Sequence, residues 1–306
     1  MKQIKLGSLI FVGLLVIVFV ALSTHSLIKQ VQLNTIYKTH EINDFDMLTI
    51  DDYQVAFRQY GNPDHETLVL IHGFLGSGYD FRFISEMLEE NFHIIAIDLV
   101  GFGHSEKSSS FSYTADQHSK IIEKLLEHLD IDHYYMLGHS MGARVALYHS
   151  YHHQNQMEGL ILLSPADFNP EQNTQPPPKL FYDLIFKNYT VQRLAFFGVH
   201  HQEAYKSSDY FDPMYYFSAM IPSGVLQKMS NDQDDIDFEA LMTEIRLDPL
   251  IITGAKDTWT PLFISENYKA KLNEAQLVII EEVGHMPMIE AHTLVGNYII
   301  DYINDE

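Results

Sequence analysis

The chain has 306 residues, 46% of them hydrophobic and 12% aromatic, which suits one large domain or a domain carrying an inserted subdomain. Its 19 Lys and Arg stand against 41 Asp and Glu, a formal charge of −22 that makes nucleic acid and anionic lipid poor partners. There is no cysteine, so disulfides, thiolate zinc sites and a lipidated cysteine anchor are excluded.

Lys2 and Lys5 precede an uncharged run from Leu6 to Leu22. Its 17 residues reach the lower edge of a spanning helix and exceed the usual core of a signal peptide. The reading is a retained signal-anchor over 1–25, with cleavage near Ala21 and Ser23 and secretion as the alternative. In both cases the lysines stay inside and the rest of the chain lies outside the cytoplasm. Residues 26–45 read as a stalk. Met47 to Ile50 and Gln54 to Tyr60 read as a hairpin turning at Asp51-Asp52.

Beyond it, short apolar runs alternate with helical patterns. Thr67–Ile71, Phe92–Ile97, Tyr134–Leu137, Leu160–Leu163, Leu250–Ile252 and Leu277–Ile280 read as buried strands. Phe81 to Glu89 reads as a helix. Thr114 to Leu129 carries Ile121, Ile122, Leu125, Leu126 and Leu129 on one helical face. Thr260-Pro261 looks like the N-cap and first turn of a helix running to about Leu272. Leu294, Val295, Tyr298, Ile299, Tyr302 and Ile303 give the last helix its stripe. Such alternation implies a mostly parallel sheet covered on both faces. The expected organisation is a core over 46–166 and 247–306. The segment 167–246, opening at Pro176-Pro177-Pro178 and rich in Phe and Tyr, is a mostly helical cap.

The most telling stretch is Gly138-His139-Ser140-Met141-Gly142, between an apolar strand and a helix. A serine at the tip of so tight a turn needs glycine two residues to either side, because side chains there would collide. Three more motifs follow strands: His72-Gly73-Phe74-Leu75-Gly76-Ser77, Asp98 to Ser105, and Gly254-Ala255-Lys256-Asp257. A fourth, Gly284-His285-Met286-Pro287, follows the last strand. In this order and context the sequence resembles the α/β-hydrolase family, on its esterase- and lipase-like branch, from about Met47 to the end.

The resemblance implies Ser140 as nucleophile, His285 as the base that takes its proton, and Asp257 as the carboxylate that orients the imidazole. Asp167 is the fallback acid. It also implies an oxyanion hole from the backbone N–H groups of Phe74 and Met141. Phe74, His139 and Arg144 are the substrate-binding candidates. His72, Asp98 and Gly101 to His104 are expected to shape loops. His149, His152 and His153 read as favourable charges at a helix end, and neither cofactor nor metal is expected. Asn188-Tyr189-Thr190 matches a glycosylation sequon.

The expected activity is cleavage of an ester, or a similar acyl bond, of a small uncharged substrate. A second reading rests on Arg144, since Ser140 to Arg144 also resembles the menaquinone-pathway synthase of the family. That reading gives carbon–carbon bond chemistry on an anionic substrate. A dehalogenase or epoxide hydrolase would instead carry aspartate at position 140.

Overall fold

A computed structural model describes residues 6–38, 40–168, 177–232 and 234–305. Lys2, Lys5 and Pro176 lie outside the described residues. The strands are β1 (Asp46–Ile50), β2 (Tyr53–Tyr60), β3 (Thr67–Ile71), β4 (His93–Ile97), β5 (Tyr134–His139), β6 (Met157–Leu163), β7 (Leu250–Gly254) and β8 (Gln276–Ile280). They form one sheet in the order β1-β2-β4-β3-β5-β6-β7-β8. The β1–β2 hairpin and its pairing with β4 are antiparallel, and every pairing from β4 to β8 is parallel.

Helices cover both faces. They are α2 (Arg82–Leu88), α3 (Ala115–His128), α4 (Met141–His153), α10 (Leu262–Lys271), α11 (Pro287–Glu290) and α12 (His292–Asp305), while α1 (Leu6–Tyr37) packs on the cap, which holds α5 to α9. Alternation along β3 explains the two cores. Val69 and Ile71 enter the cluster beneath α3 and α4, while Leu68 and Leu70 enter the one beneath α2 and α12. All five residues of β3 are buried, as a strand covered on both faces requires. In α12 the stripe narrows to Val295, Ile299, Tyr302 and Ile303, and Leu294 and Tyr298 face solvent.

Strand order reverses around β3. The chain steps from β3 outward to β4, then returns past β3 to β5. Loops leaving the carboxyl ends of β3 and β5 therefore diverge and leave a crevice between them. The Phe74 loop and Ser140 sit at those two strand ends, with Ile71 paired to Gly138.

Between β6 and β7 come α5 (Lys179–Phe186), α6 (Tyr189–Ala195), α7 (Ser208–Met220), α8 (Ser223–Asn231) and α9 (Phe238–Met242). Asn188 is buried, and its side chain accepts a hydrogen bond from Val191 N as the cap of α6, so the sequon asparagine is a structural residue.

The stalk expected over 26–45 is not a free tether. Helix α1 continues unbroken to Tyr37, and a short 3-10 turn follows at Glu41–Asn43. Ser26, Leu33 and Tyr37 are buried. Tyr189 N donates to Ser26 Oγ (3.0 Å), Lys29 pairs with Asp212 (2.7 Å), and the Tyr37 and Tyr216 rings meet edge to face at 5.0 Å. Ser26, Lys29, Leu33 and Tyr37 fall on one helical face, so the same periodicity that makes the helix also seats it on the cap.

Candidate active site

Ser140 holds φ 53° and ψ −116°, a backbone conformation that strains any side-chain-bearing residue. The glycines make the turn possible. A Cβ on Gly138 would lie 2.4 Å from Gly142 O, and one on Gly142 would lie 2.3 Å from Ile71 O. The turn lifts Ser140 to the N-terminus of α4, and its own carbonyl accepts from Ala143 N and Ala166 N.

His285 follows β8 and presents Nε2 at 3.1 Å from Ser140 Oγ. Its Nδ1 lies 2.8 Å from Asp257 Oδ2. Asp257, in the turn after β7, accepts from Trp259 N and Thr260 N at Oδ1, each 2.8 Å, and from Thr260 Oγ at Oδ2, 2.7 Å. Burial alone would raise this carboxyl. The hydrogen bond and charge of His285, with the Thr260 amide and hydroxyl, outweigh it and hold Asp257 below the usual carboxylate range. Asp167, the fallback acid, is exposed, and the carboxylate that meets His285 Nδ1 is that of Asp257.

Thr260 departs from its expected role as a helix cap. Its hydroxyl is taken up by Asp257 and by Ser164 O (3.1 Å), and Pro261 precedes the first turn of α10 without a side-chain cap.

The crevice is narrow, with a cavity volume of about 60 Å³. Its floor is Gly73, Phe74, His139, Ser140 and His285, and Phe196, Val199 and Met214 of the cap close it from above. Trp259 lies nearly parallel to the His285 ring at 6.1 Å and touches Phe196 at 4.6 Å. Phe74 is half-exposed and meets Phe102 at 5.8 Å and Phe186 of α5 at 6.3 Å. Its loop turns at Leu75 (φ 63°) and is tied down by His72, whose Nδ1 donates to Gly73 O (2.7 Å) while its Nε2 accepts from Leu99 N (3.0 Å). Burial holds His72 neutral.

His139 lies in the floor and donates from Nε2 to His285 O (2.8 Å). Burial, with the neighbouring His285, lowers its pKa to about 3, so it is neutral at working pH and braces the His285 loop. Arg144 is elsewhere. Its guanidinium pairs with Asp234 at 2.8 Å and lies over the Phe238 ring, so it does not line the crevice.

Two carboxyls here carried no motif in the sequence. Asp80 lines the crevice, accepts from Ser77 N (3.1 Å), and is pushed up to about 6 by burial. Glu290, buried in α11, accepts from Gly284 N (3.0 Å), His201 N (2.8 Å) and Gln202 N (3.0 Å). It therefore ties the residue before His285 to the cap segment that covers the crevice. Only their spacing from Ser77 and His285 hinted at them, and many surface acids have such spacing. His149, by contrast, is buried between Ser119 (2.9 Å) and Tyr134 (2.6 Å), a packing arrangement.

A strained serine at a strand-to-helix turn, a histidine behind it and a carboxylate behind that, all on the carboxyl edge of a mostly parallel sheet, define a class. The alpha/beta hydrolase fold family model matches residues 66–292, and the chain belongs to that family. Among its relatives, the hydrolase YugF of Bacillus subtilis (strain 168) is 28% identical over 266 residues, 83% of this chain and 96% of that one. Lipase 1 of Psychrobacter immobilis is 24% identical over 253 residues, covering 78% and 77%. The crystal structure of a membrane phospholipase A superposes with a TM-score of 0.76 at 20% identity, covering 98% of this chain and 100% of that one. The chain is an enzyme of the α/β-hydrolase superfamily, with lipases and hydrolases among its relatives.

Proposed function

We propose that the protein is a serine hydrolase that cleaves carboxylic esters of small, largely apolar, uncharged substrates through an acyl-enzyme on Ser140. The observation that carries this reading is the hydrogen-bonded chain Ser140 Oγ–His285–Asp257 at 3.1 and 2.8 Å. A serine hydroxyl becomes a competent nucleophile when a base within hydrogen-bond reach removes its proton as it attacks. His285 Nε2 takes that proton and returns it to the leaving alcohol. Asp257, fixed by four donors, keeps the proton on His285 Nδ1 and stabilises the imidazolium. A water activated by the same nitrogen then hydrolyses the acyl-enzyme. The amides of Met141 and Phe74 supply the oxyanion hole, the first at the N-terminus of α4 and the second in the loop after β3.

The crevice supports an uncharged acyl group. Among the described residues its lining holds Asp80 and no lysine or arginine. An anion would lose hydration there without a cationic partner. Arg144, the residue on which the carbon–carbon lyase reading rests, already holds Asp234.

We also propose that α1 anchors the enzyme in a membrane with the catalytic domain outside the cytoplasm. The uncharged run Leu6–Leu22 within α1 is apolar enough to enter the bilayer, and the continuation of the same helix is clamped to the cap.

The test uses a fluorophosphonate probe and a panel of p-nitrophenyl esters. Ser140→Ala should lose all labelling and lower kcat on the order of 10⁴-fold or more while the melting temperature is kept. Undiminished labelling of Ser140→Ala would overturn the assignment.

A further inference from the structure

A second cavity, about 650 Å³, lies outside the crevice, between α1 and the cap. Phe19, Leu27 and Gln30 line it from α1, Leu180 and Leu184 line it from α5, and Lys187 lines it from the end of α5. Each set recurs at helical spacing, so the cavity is a groove between two helix faces. Its apolar side chains are uncovered, with Phe19 54%, Leu27 67% and Leu180 72% exposed, and they alternate with polar ones such as Ser23, Ser26 and Asp183.

The position of this groove along α1 is what gives it meaning. Phe19 lies inside the uncharged run Leu6–Leu22, and Gln30 is eleven residues further on, roughly 16 Å along the helix axis. The groove thus begins at the depth of lipid chains at Phe19 and continues past Ser23 and Ser26, where polar side chains begin, to Gln30. Because α1 is unbroken and clamped to the cap through Ser26, Lys29, Leu33 and Tyr37, the cap cannot withdraw from the membrane surface independently of the helix.

We propose that this groove binds an acyl chain of a bilayer glycerophospholipid with a zwitterionic headgroup. Where the anchor enters the bilayer, lipid is the most abundant apolar species available to cover Phe19, Leu27, Leu180 and Leu184. Asp183, whose Oδ1 accepts from Ser223 Oγ, and Lys187, whose Nζ donates to Ala219 O (3.3 Å), place opposite charges on the same wall beside a headgroup with a phosphate and an ammonium. The net charge of −22 disfavours a purely anionic lipid. The opposite face of α5 carries Tyr182 and Phe186, both buried, and Phe186 meets Phe74 at the crevice. A chain in the groove therefore lies one helix away from the candidate active site. The inference rests on α1 lying in a bilayer and is independent of the chemistry at Ser140.

The test places the full-length protein in phosphatidylcholine–phosphatidylethanolamine vesicles containing an ether-linked phosphatidylcholine with a diazirine on one chain, which an esterase cannot consume. Photolysis followed by peptide mapping should give adducts on both α5 and the Leu27 side of α1. Leu184→Trp, which fills the groove, should reduce those adducts at least fivefold and leave adducts on Leu14–Val18 in place, with folding checked by melting temperature. Adducts spread evenly around α1 with none on α5, or crosslinks joining α1 to a second copy of α1 in their stead, would overturn the proposal. Failure to float with the vesicles would overturn it together with the membrane reading and leave the hydrolase reading standing.

Discussion

The carboxyl edge of the sheet and the cap reach the same crevice by different physics. At the sheet edge each chemical group is held by backbone. Ser140 is forced upward by a turn that only glycine-flanked residues can make, and Asp257 is gripped by two amides and a hydroxyl. The cap contributes mainly ring and aliphatic contacts: Phe196 on Trp259, Phe186 on Phe74, and Met214 and Val199 over the serine. Directional hydrogen bonds fix geometry to fractions of an ångström, and apolar contacts fix volume and exclude water. The edge is thus suited to chemistry, and the cap to choosing what reaches it.

Changes at the edge should accordingly act on kcat. Asp257→Asn keeps the shape but favours the wrong histidine tautomer, so kcat should fall by roughly 10³- to 10⁴-fold. Asp167→Asn should stay near wild type in the same ester assay. The opposite ranking would move the acid to the end of β6. Glu290→Gln tests the joint between the two regions. Gln keeps one acceptor oxygen for the three amides at Gly284, His201 and Gln202, so the His285 loop loses part of its hold. A misplacement of the base should cost on the order of 10-fold to 100-fold in kcat, with KM little changed. If KM rises and kcat holds, Glu290 serves the cap and not the histidine.

The edge was legible in the sequence because its constraints are local. A five-residue turn, a Gly-x-x-Asp after one strand and a Gly-His after another each carry their own steric or hydrogen-bonding reason. The strands β3 to β7 were legible for a similar reason, since both faces are covered and the runs read as unbroken apolar stretches. The cap was legible only as an aromatic break in the alternation. Which of its rings face the crevice depends on how α5 to α9 pack on one another, and composition does not encode that. Arg144 illustrates the limit. The likeness of the stretch from Ser140 to Arg144 to the menaquinone-pathway synthase suggested a substrate contact, yet the Arg144 guanidinium lies against Asp234. Thr260-Pro261 carried a helix-cap pattern, and the hydroxyl went to the catalytic carboxylate candidate through a contact three residues back.

Asp80 gives a gentler probe of selection within the crevice. Its carboxyl, raised to about 6 by burial, is neutral below that pH and charged above it. Discrimination against an ester with a terminal carboxylate on its acyl chain should therefore grow between pH 5 and 7, by roughly tenfold. Asp80→Asn, which keeps an acceptor for Ser77 N, should flatten that rise in kcat/KM ratios. A pH-independent ratio in the wild type would mean that Asp80 does not face the substrate.

The smallest effect on activity, and the plainest test of how the core beneath the edge is built, comes from His118. Its ring packs against Phe111 at 5.0 Å and Tyr113 at 6.2 Å, and its buried Nδ1 has no hydrogen-bond partner. Burial, helped by nearby His72, lowers its pKa to about 3. The folded protein thus keeps this ring neutral where the unfolded chain, titrating near the ordinary value of about 6.5, takes up a proton. Between those two values the unfolded state binds more protons. Stability must fall as pH drops through that window and is unaffected above it, by up to about 1.4 kcal/mol per pH unit for one histidine. His118→Phe keeps the aromatic contacts and removes both the titration and the unpaired nitrogen. Esterase activity at pH 7.5 should be unchanged, and stability there equal or higher. From urea midpoints at pH 6 and pH 5, the variant should lose less stability than the wild type. An identical pH slope in the two proteins would show that His118 becomes protonated without unfolding, and that the ring is less firmly enclosed than its packing implies.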